Sequence, residues 1–383
     1  MSIMLPRPHV DSLYNVLRVL SCKTMFAIAL SFLAVLGHLS QAVAAQKTSE
    51  AQKKGTGEQA HRRDHSTNAE KRSSLQSKNQ VRIVKKMILV HGRRKFVYQR
   101  VAFHPTPLVP TAGDLAGLQF TPDPLMLSSN VAFVLDASND EVLFEKNSNI
   151  ALPIASLTKL MSGLVVVESS QNMAEMLVVT DEDIDRTRNS RSRLSVGAQL
   201  TRADMLRIAL MSSENRAASA LGRSYPGGLP AFVAAMNDKA QSLDMHDTHY
   251  ADPTGLSSGN VASARDLAKL VVAASRHPVL AEYSTHGRYA VDTGQRVLQY
   301  VNSNRLIGKA DWDIGLQKTG YISEAGRCLV MQVAIRGHAI VMVFLDSKRR
   351  HARFEDADRL RLWVLEKIAP ASSQLSSAEQ TPP

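Results

Sequence analysis

At 383 residues the chain has room for one large domain with extensions, or for two domains. A hydrophobic content of 44% excludes a wholly disordered chain, and two cysteines exclude a disulfide-stapled scaffold. The net charge of +11 is spread unevenly, so its location says more than its size.

Residues 25–36 form an apolar run, preceded by Arg18 and Lys23 and followed by Ala42, Val43 and Ala44. The run is too short for a comfortable membrane span. Its basic, apolar and small-residue zones follow the layout of a secretory signal. Residues 1–45 therefore read as a signal peptide cleaved near Ala44 or Ala45. An uncleaved anchor is the alternative, and the long leader leaves Met25 as another start. Cleavage removes Cys22 and leaves Cys328 alone, so no intrachain disulfide is expected. No second apolar stretch is long enough to span a bilayer.

Residues 46–124 read as a basic, largely disordered linker. Over 46–100 there are roughly 15 basic against 4 acidic residues, and the first part lacks the apolar surface to fold alone. Two apolar runs around His91 and Gly92 predict a small hairpin near 87–98. The basic segment suits an anionic wall or membrane surface, with a solvated linker as the alternative; nucleic acid is not expected beyond a signal peptide. The folded domain is expected from about Leu125 to residue 368, followed by a polar tail over 369–383. Residues 131–136 and 141–144 predict one hairpin, and residues 328–334 and 339–344 another, with Gly337 at its turn. Between them, residues 157–167 are apolar nearly all round and predict a buried helix. Thr201 and Asp204 form a capping box opening a helix through Met211. Further helices are predicted over 229–243, 262–275 and 354–367. Strands at both ends with helices between them predict an α+β fold, an antiparallel sheet with helices packed on it.

Three short motifs carry chemistry: Ser156-Leu157-Thr158-Lys159 (S-x-x-K), Ser213-Glu214-Asn215 (S-x-N) and Lys318-Thr319-Gly320 (K-T-G). Each is weak singly; their order, at spacings one catalytic domain needs, makes them strong together. Ser156 opens the buried helix, where free N–H groups and the positive end of the dipole face it. Lys159 lies one turn on, on the same face, as the base a serine hydroxyl needs. Burial and a second cation, for which Lys318 is the candidate, both favour the neutral amine. Ser213 is placed as a proton shuttle and Asn215 as an amide orienting Lys159 and substrate. Lys318 and Thr319 suit a substrate carboxylate, and Gly320 a closely approaching substrate backbone. The backbone N–H groups of Ser156 and Tyr321 make an oxyanion hole. His246 and His249 have no carboxylate or Cys at ligand spacing, so no metal and no cofactor is expected.

With these motifs, the runs 211–218, 225–228, Asp252-Pro253-Thr254-Gly255-Leu256 and 264–267 resemble low-molecular-mass penicillin-binding proteins, most nearly the D-alanyl-D-alanine endopeptidase subgroup. The resemblance covers about 125–367. It implies the β-lactamase/DD-peptidase-like fold and an acyl-enzyme on Ser156. It also implies peptidoglycan peptide stems as substrate, β-lactams as covalent inhibitors and action in the periplasm. The subgroup cuts the D-alanyl to diaminopimelate cross-link; carboxypeptidase action on terminal D-Ala and a non-catalytic wall-peptide-binding role are the alternatives. The chain ends soon after the catalytic region, which fits the shorter endopeptidase type. It also lacks a Glu-x-x-Leu-Asn run between the second and third motifs, which disfavours a β-lactamase.

Overall fold

A computed structural model describes residues 80–90, 93–103 and 109–368. The expected signal segment, the first part of the basic linker and the polar tail lie outside the described residues. The chain divides into two units, residues 1–105 and 106–383. Among the described residues the first contains one hairpin, β1 (Gln80–Val90) against β2 (Arg93–Phe103), longer at both ends than the 87–98 expected.

The second unit begins earlier than the expected Leu125. A short helix, α1 (Ala112–Leu115), is capped by Thr111, and a 3-10 turn (Leu118–Phe120) buries Leu118 in the main core. Thr111 also donates to the buried carboxylate of Asp346 at 2.8 Å. The proline-rich stretch read as linker is thus partly structural.

The elements that follow are β3 (Ser129–Asp136), β4 (Glu141–Lys146), β5 (Leu152–Pro153), a 3-10 turn (Ala155–Leu157) and α2 (Thr158–Glu168). Next come β6 (Met176–Val178), β7 (Gln199–Thr201), α3 (Arg202–Met211), α4 (Asn215–Arg223) and α5 (Gly228–Ser242). Then come β8 (Val261–Ala262), α6 (Ala264–Ser275), α7 (Pro278–Thr285), β9 (Arg288–Asp292) and β10 (Val297–Val301). The unit closes with β11 (Ile314–Ile322), β12 (Gly326–Ile335), β13 (His338–Ser347) and α8 (Ala352–Lys367). Thr201 caps α3, its hydroxyl accepting from the Asp204 N–H at 3.0 Å, but the expected capping box is only half formed: the Asp204 carboxylate accepts from the Thr201 hydroxyl at 2.7 Å and not from the Thr201 N–H.

The central sheet is antiparallel, in the order β11-β12-β13-β3-β4. Its strands are apolar on both faces because helices cover both. On β13, Val341, Val343 and Leu345 enter the core shared with α2 and α6, while Ile340, Met342 and Phe344 enter a second core closed by α8. The period-two alternation of strand side chains divides the two sets. The larger core lies between the sheet and the helices that carry S-x-x-K and S-x-N. Among the described residues no helix is long and apolar enough to cross a membrane.

Candidate active site

Ser156 lies in the 3-10 turn just ahead of α2. Ala155 before it adopts a left-handed φ of 50°, a conformation non-glycine residues rarely hold without surrounding support. That support is visible. The Ala155 carbonyl accepts from the Thr158 hydroxyl at 2.8 Å. The Ile154 N–H bonds the Asn260 carbonyl at 3.0 Å. The turn thereby lifts Ser156 out of the helix, half-buried, while Lys159 is fully enclosed.

Lys159 Nζ makes three contacts: the Ser156 hydroxyl at 3.0 Å, the Asn215 side-chain oxygen at 2.7 Å and the Thr254 carbonyl at 2.5 Å. Burial pushes its pKa down to about 7; the carboxylates of Asp252 and Glu214 pull the other way. At neutral pH a substantial fraction of Lys159 is therefore the free amine, within hydrogen-bond reach of the Ser156 hydroxyl.

Asn215 opens α4 and bridges outward, donating to the Ser190 hydroxyl at 3.0 Å. Ser213 has a left-handed φ of 62°, and among the described residues no hydrogen bond joins its hydroxyl to Ser156 or Lys159. Glu214 between them is buried and N-caps α4 on the Arg216 N–H at 3.3 Å. Its carboxylate also accepts from the Ser192 hydroxyl at 2.6 Å and the Tyr300 hydroxyl at 3.3 Å.

K-T-G lies in the interior of β11, four residues from its start. β11 is an edge of the central sheet. Lys318 is fully buried; burial lowers its pKa well below that of a free lysine, and the neighbouring Lys159 cation lowers it further. Thr319 donates to the Ser303 hydroxyl at 2.7 Å. At Gly320 a Cβ would stand 2.9 Å from the Ile154 carbonyl oxygen and 3.1 Å from the Ser156 nitrogen. The backbone that approaches Gly320 is thus the turn that carries Ser156, and the glycine lets the strand and that turn touch. The Tyr321 side chain stands outside, its ring 4.3 Å from the Arg327 guanidinium carbon.

The structure adds residues the motifs did not name. The Asp252-Pro253-Thr254-Gly255-Leu256 run, quoted above only as a resemblance, is a turn built on Asp252. That carboxylate accepts from the N–H groups of Thr254, Gly255 and Ser257 at 2.6, 2.8 and 2.9 Å. The turn aims the Thr254 carbonyl at Lys159 and lays Gly255, at φ 79°, against the Ala155 carbonyl. Ser162 on α2 anchors it from below, donating to the Pro253 carbonyl at 2.7 Å. Arg188 crosses from the 181–190 loop to the Leu256 carbonyl at 2.5 Å and to Glu324 at 3.0 Å. Beside this turn opens a cavity of about 770 Å³ whose wall includes Asp185, Arg188, Thr254 and Leu256. Ser156 is not on that wall; the cavity reaches the catalytic group through Thr254.

Glu214→Gln keeps one acceptor oxygen and removes a negative charge that holds the Lys159 proton. The pH midpoint of Ser156 acylation should then fall by about one unit, with the rate at pH 8 little changed. Stopped-flow acylation by a chromogenic β-lactam across pH 5–9 reads this directly, and an unmoved midpoint would separate Glu214 from Lys159.

Comparison with known proteins agrees with this geometry. Residues 118–349 match the family model described as D-alanyl-D-alanine carboxypeptidase. The chain is 44% identical over 240 residues to a D-alanyl-D-alanine endopeptidase of Pseudomonas aeruginosa, covering 62% of this chain and 77% of that protein. It is 36% identical over 260 residues to the D-alanyl-D-alanine endopeptidase of Escherichia coli, covering 67% and 84%. Among solved structures, cefotaxime-bound penicillin-binding protein D2 of Listeria monocytogenes superposes with a TM-score of 0.56. It shares 26% identity, over 62% of this chain and 98% of that one. The antiparallel sheet with flanking helices, the Ser–Lys pair at its edge and the matched span together show that the chain belongs to the D-alanyl-D-alanine carboxypeptidase family of serine peptidases, family S11.

Proposed function

We propose that the protein is an exported endopeptidase that opens the D-alanyl to diaminopimelate cross-links of peptidoglycan through an acyl-enzyme on Ser156. The observation that carries this reading is the 3.0 Å contact between Ser156 Oγ and a Lys159 amine whose pKa burial lowers to about 7. Two curated relatives that carry the endopeptidase name support the substrate choice.

The proposed steps use the side chains of the three motifs. Lys318 and Thr319 receive the carboxylate of the leaving stem, and the arriving anion stabilises a proton on Lys318 that the empty site disfavours. Ser156 attacks the D-alanyl carbonyl as its proton passes to Lys159. The N–H groups of Ser156 and Tyr321 take the developing oxyanion. Ser213 relays the proton to the departing amine, and Asn215 holds Lys159 and the donor peptide in register. Water then hydrolyses the ester with Lys159 as base. The cavity beside Thr254 falls in the size range of ligand sites and offers room for the donor stem. β-Lactams stop at the ester and act as inhibitors. The signal-like segment supports a periplasmic location, and the basic segment supports electrostatic contact with an anionic wall or membrane surface.

The test is chemical. Fluorescent penicillin should label the wild type and leave Ser156→Ala unlabelled, and purified enzyme should convert cross-linked muropeptide dimers to monomers. Dimers left intact while monomeric pentapeptides lose terminal D-Ala would make the protein a carboxypeptidase. Labelling that survives Ser156→Ala would remove the acyl-enzyme altogether.

A further inference from the structure

The β1–β2 hairpin carries none of the three motifs, and its surface is unusual. Paired residues of an antiparallel ladder share a face. The register sets Met87 opposite Phe96 and Leu89 opposite Arg94, with Lys85 two residues before Met87 on the same side. Three large apolar side chains on this face are open to solvent: Met87 at 51%, Leu89 at 70% and Phe96 at 54%. Exposed Lys85 and Arg94 flank them, and the Lys85 ammonium lies 4.0 Å from the centroid of the Phe96 ring. Residues 80–103 contain seven Lys or Arg and no Asp or Glu. A two-stranded sheet is marginal in water on its own, so such a face is better accounted for with a partner.

The charge requires that partner to be anionic. A wall polymer would satisfy the charge but offers nothing to Met87, Leu89 and Phe96. An anionic bilayer satisfies both, since basic residues sit at the headgroups while the apolar side chains between them enter the acyl boundary. We propose that this face of the hairpin docks on the surface of an anionic phospholipid membrane and tethers the peptidase there. The inference rests on the reading of the chain as exported. It deepens the electrostatic role of the basic segment by adding an apolar contact and by choosing lipid over wall.

The experiment uses the chain from Gln46 onward, the form the expected cleavage leaves, with sedimentation on vesicles. Phosphatidylethanolamine vesicles containing phosphatidylglycerol should bind it, and phosphatidylcholine vesicles should not. Met87→Ser, Leu89→Ser and Phe96→Ser combined should weaken binding at least about tenfold, because each removes buried apolar area. Lys85→Gln with Arg94→Gln should weaken it as well, more so at low salt. Fluorescent penicillin labelling of Ser156 should persist in every variant. That control shows the catalytic domain is folded, and it makes failure of membrane docking distinguishable from failure of the peptidase reading. Three results would overturn the proposal: binding unchanged in the triple variant, binding to isolated peptidoglycan but not to vesicles, or a concentration-dependent dimer that the triple variant abolishes. The last would assign the face to a second copy of the chain.

Discussion

Lys159→Met should slow acylation of Ser156 by penicillin by about 10²–10⁴-fold, the range that a positioned general base contributes. Methionine fills a similar volume, so the loss is chemical. The carbonyl of Thr254 and the amide oxygen of Asn215 lose a donor, at about 1–3 kcal/mol each, which a domain with two packed cores should tolerate. Thermal unfolding followed by circular dichroism checks that point. In the wild type, the amine is protonated and useless as a base below about 7, so acylation should rise with pH through that value. The residual rate of Lys159→Met should show no rise at that position. A variant that keeps the inflection would place the base elsewhere.

Gly255→Ala should be nearly as damaging, although it removes no catalytic group. The added Cβ would lie 2.0 Å from the Ala155 carbonyl oxygen and 2.8 Å from the Ser156 nitrogen, at a backbone φ of 79°. All the crowding atoms are backbone, so no side chain can swing away. Either the nucleophile's turn moves or the Thr254 carbonyl withdraws from Lys159. The cost should be about 3 kcal/mol or more, seen as a melting temperature lowered by about 6–12 °C. Penicillin labelling should fall at least about tenfold under conditions where the variant stays folded. Gly337→Ala makes the control: its φ is 84°, but nothing lies within 4 Å of the added atom, so only the conformational penalty of about 1 kcal/mol should appear. Equal effects at the two glycines would show that crowding at Ser156 is not the cause.

Much of the fold was legible because apolar residues repeat with clear periods. The all-round apolar segment at 157–167 became α2, and the two flanking hairpins became four strands of the central sheet. The β9–β10 hairpin and α7 were not foreseen: they are short, and α7 buries only Leu280 and Ser284. The first folded residues were hidden by prolines, with Leu118 the main buried apolar anchor among them. At the site, S-x-x-K and S-x-N are joined directly through Lys159, because side-chain chemistry leaves a mark in sequence. Thr254 leaves none, since it acts through a carbonyl that every residue possesses. Its signal was indirect: an Asp two residues earlier to hold the turn and a Gly one residue later to allow the packing. Arg188 and Ser190 come from a loop whose path only the folded chain defines.

The sheet order has a kinetic consequence. β13 pairs with β3, so Leu345 faces Val131 and the central sheet cannot close until nearly the whole domain exists. The nucleophile's turn meets Gly255 and Gly320, about a hundred and more residues further on. Contacts this distant in sequence form late, because loop-closure entropy opposes them until the intervening helices have condensed. A chain still being synthesised carries S-x-x-K and S-x-N long before it carries a site. Hydrolytic activity should therefore be silent in every incomplete chain and appear only when the last strands dock. Covalent penicillin labelling thus reports completion of folding as well as chemistry.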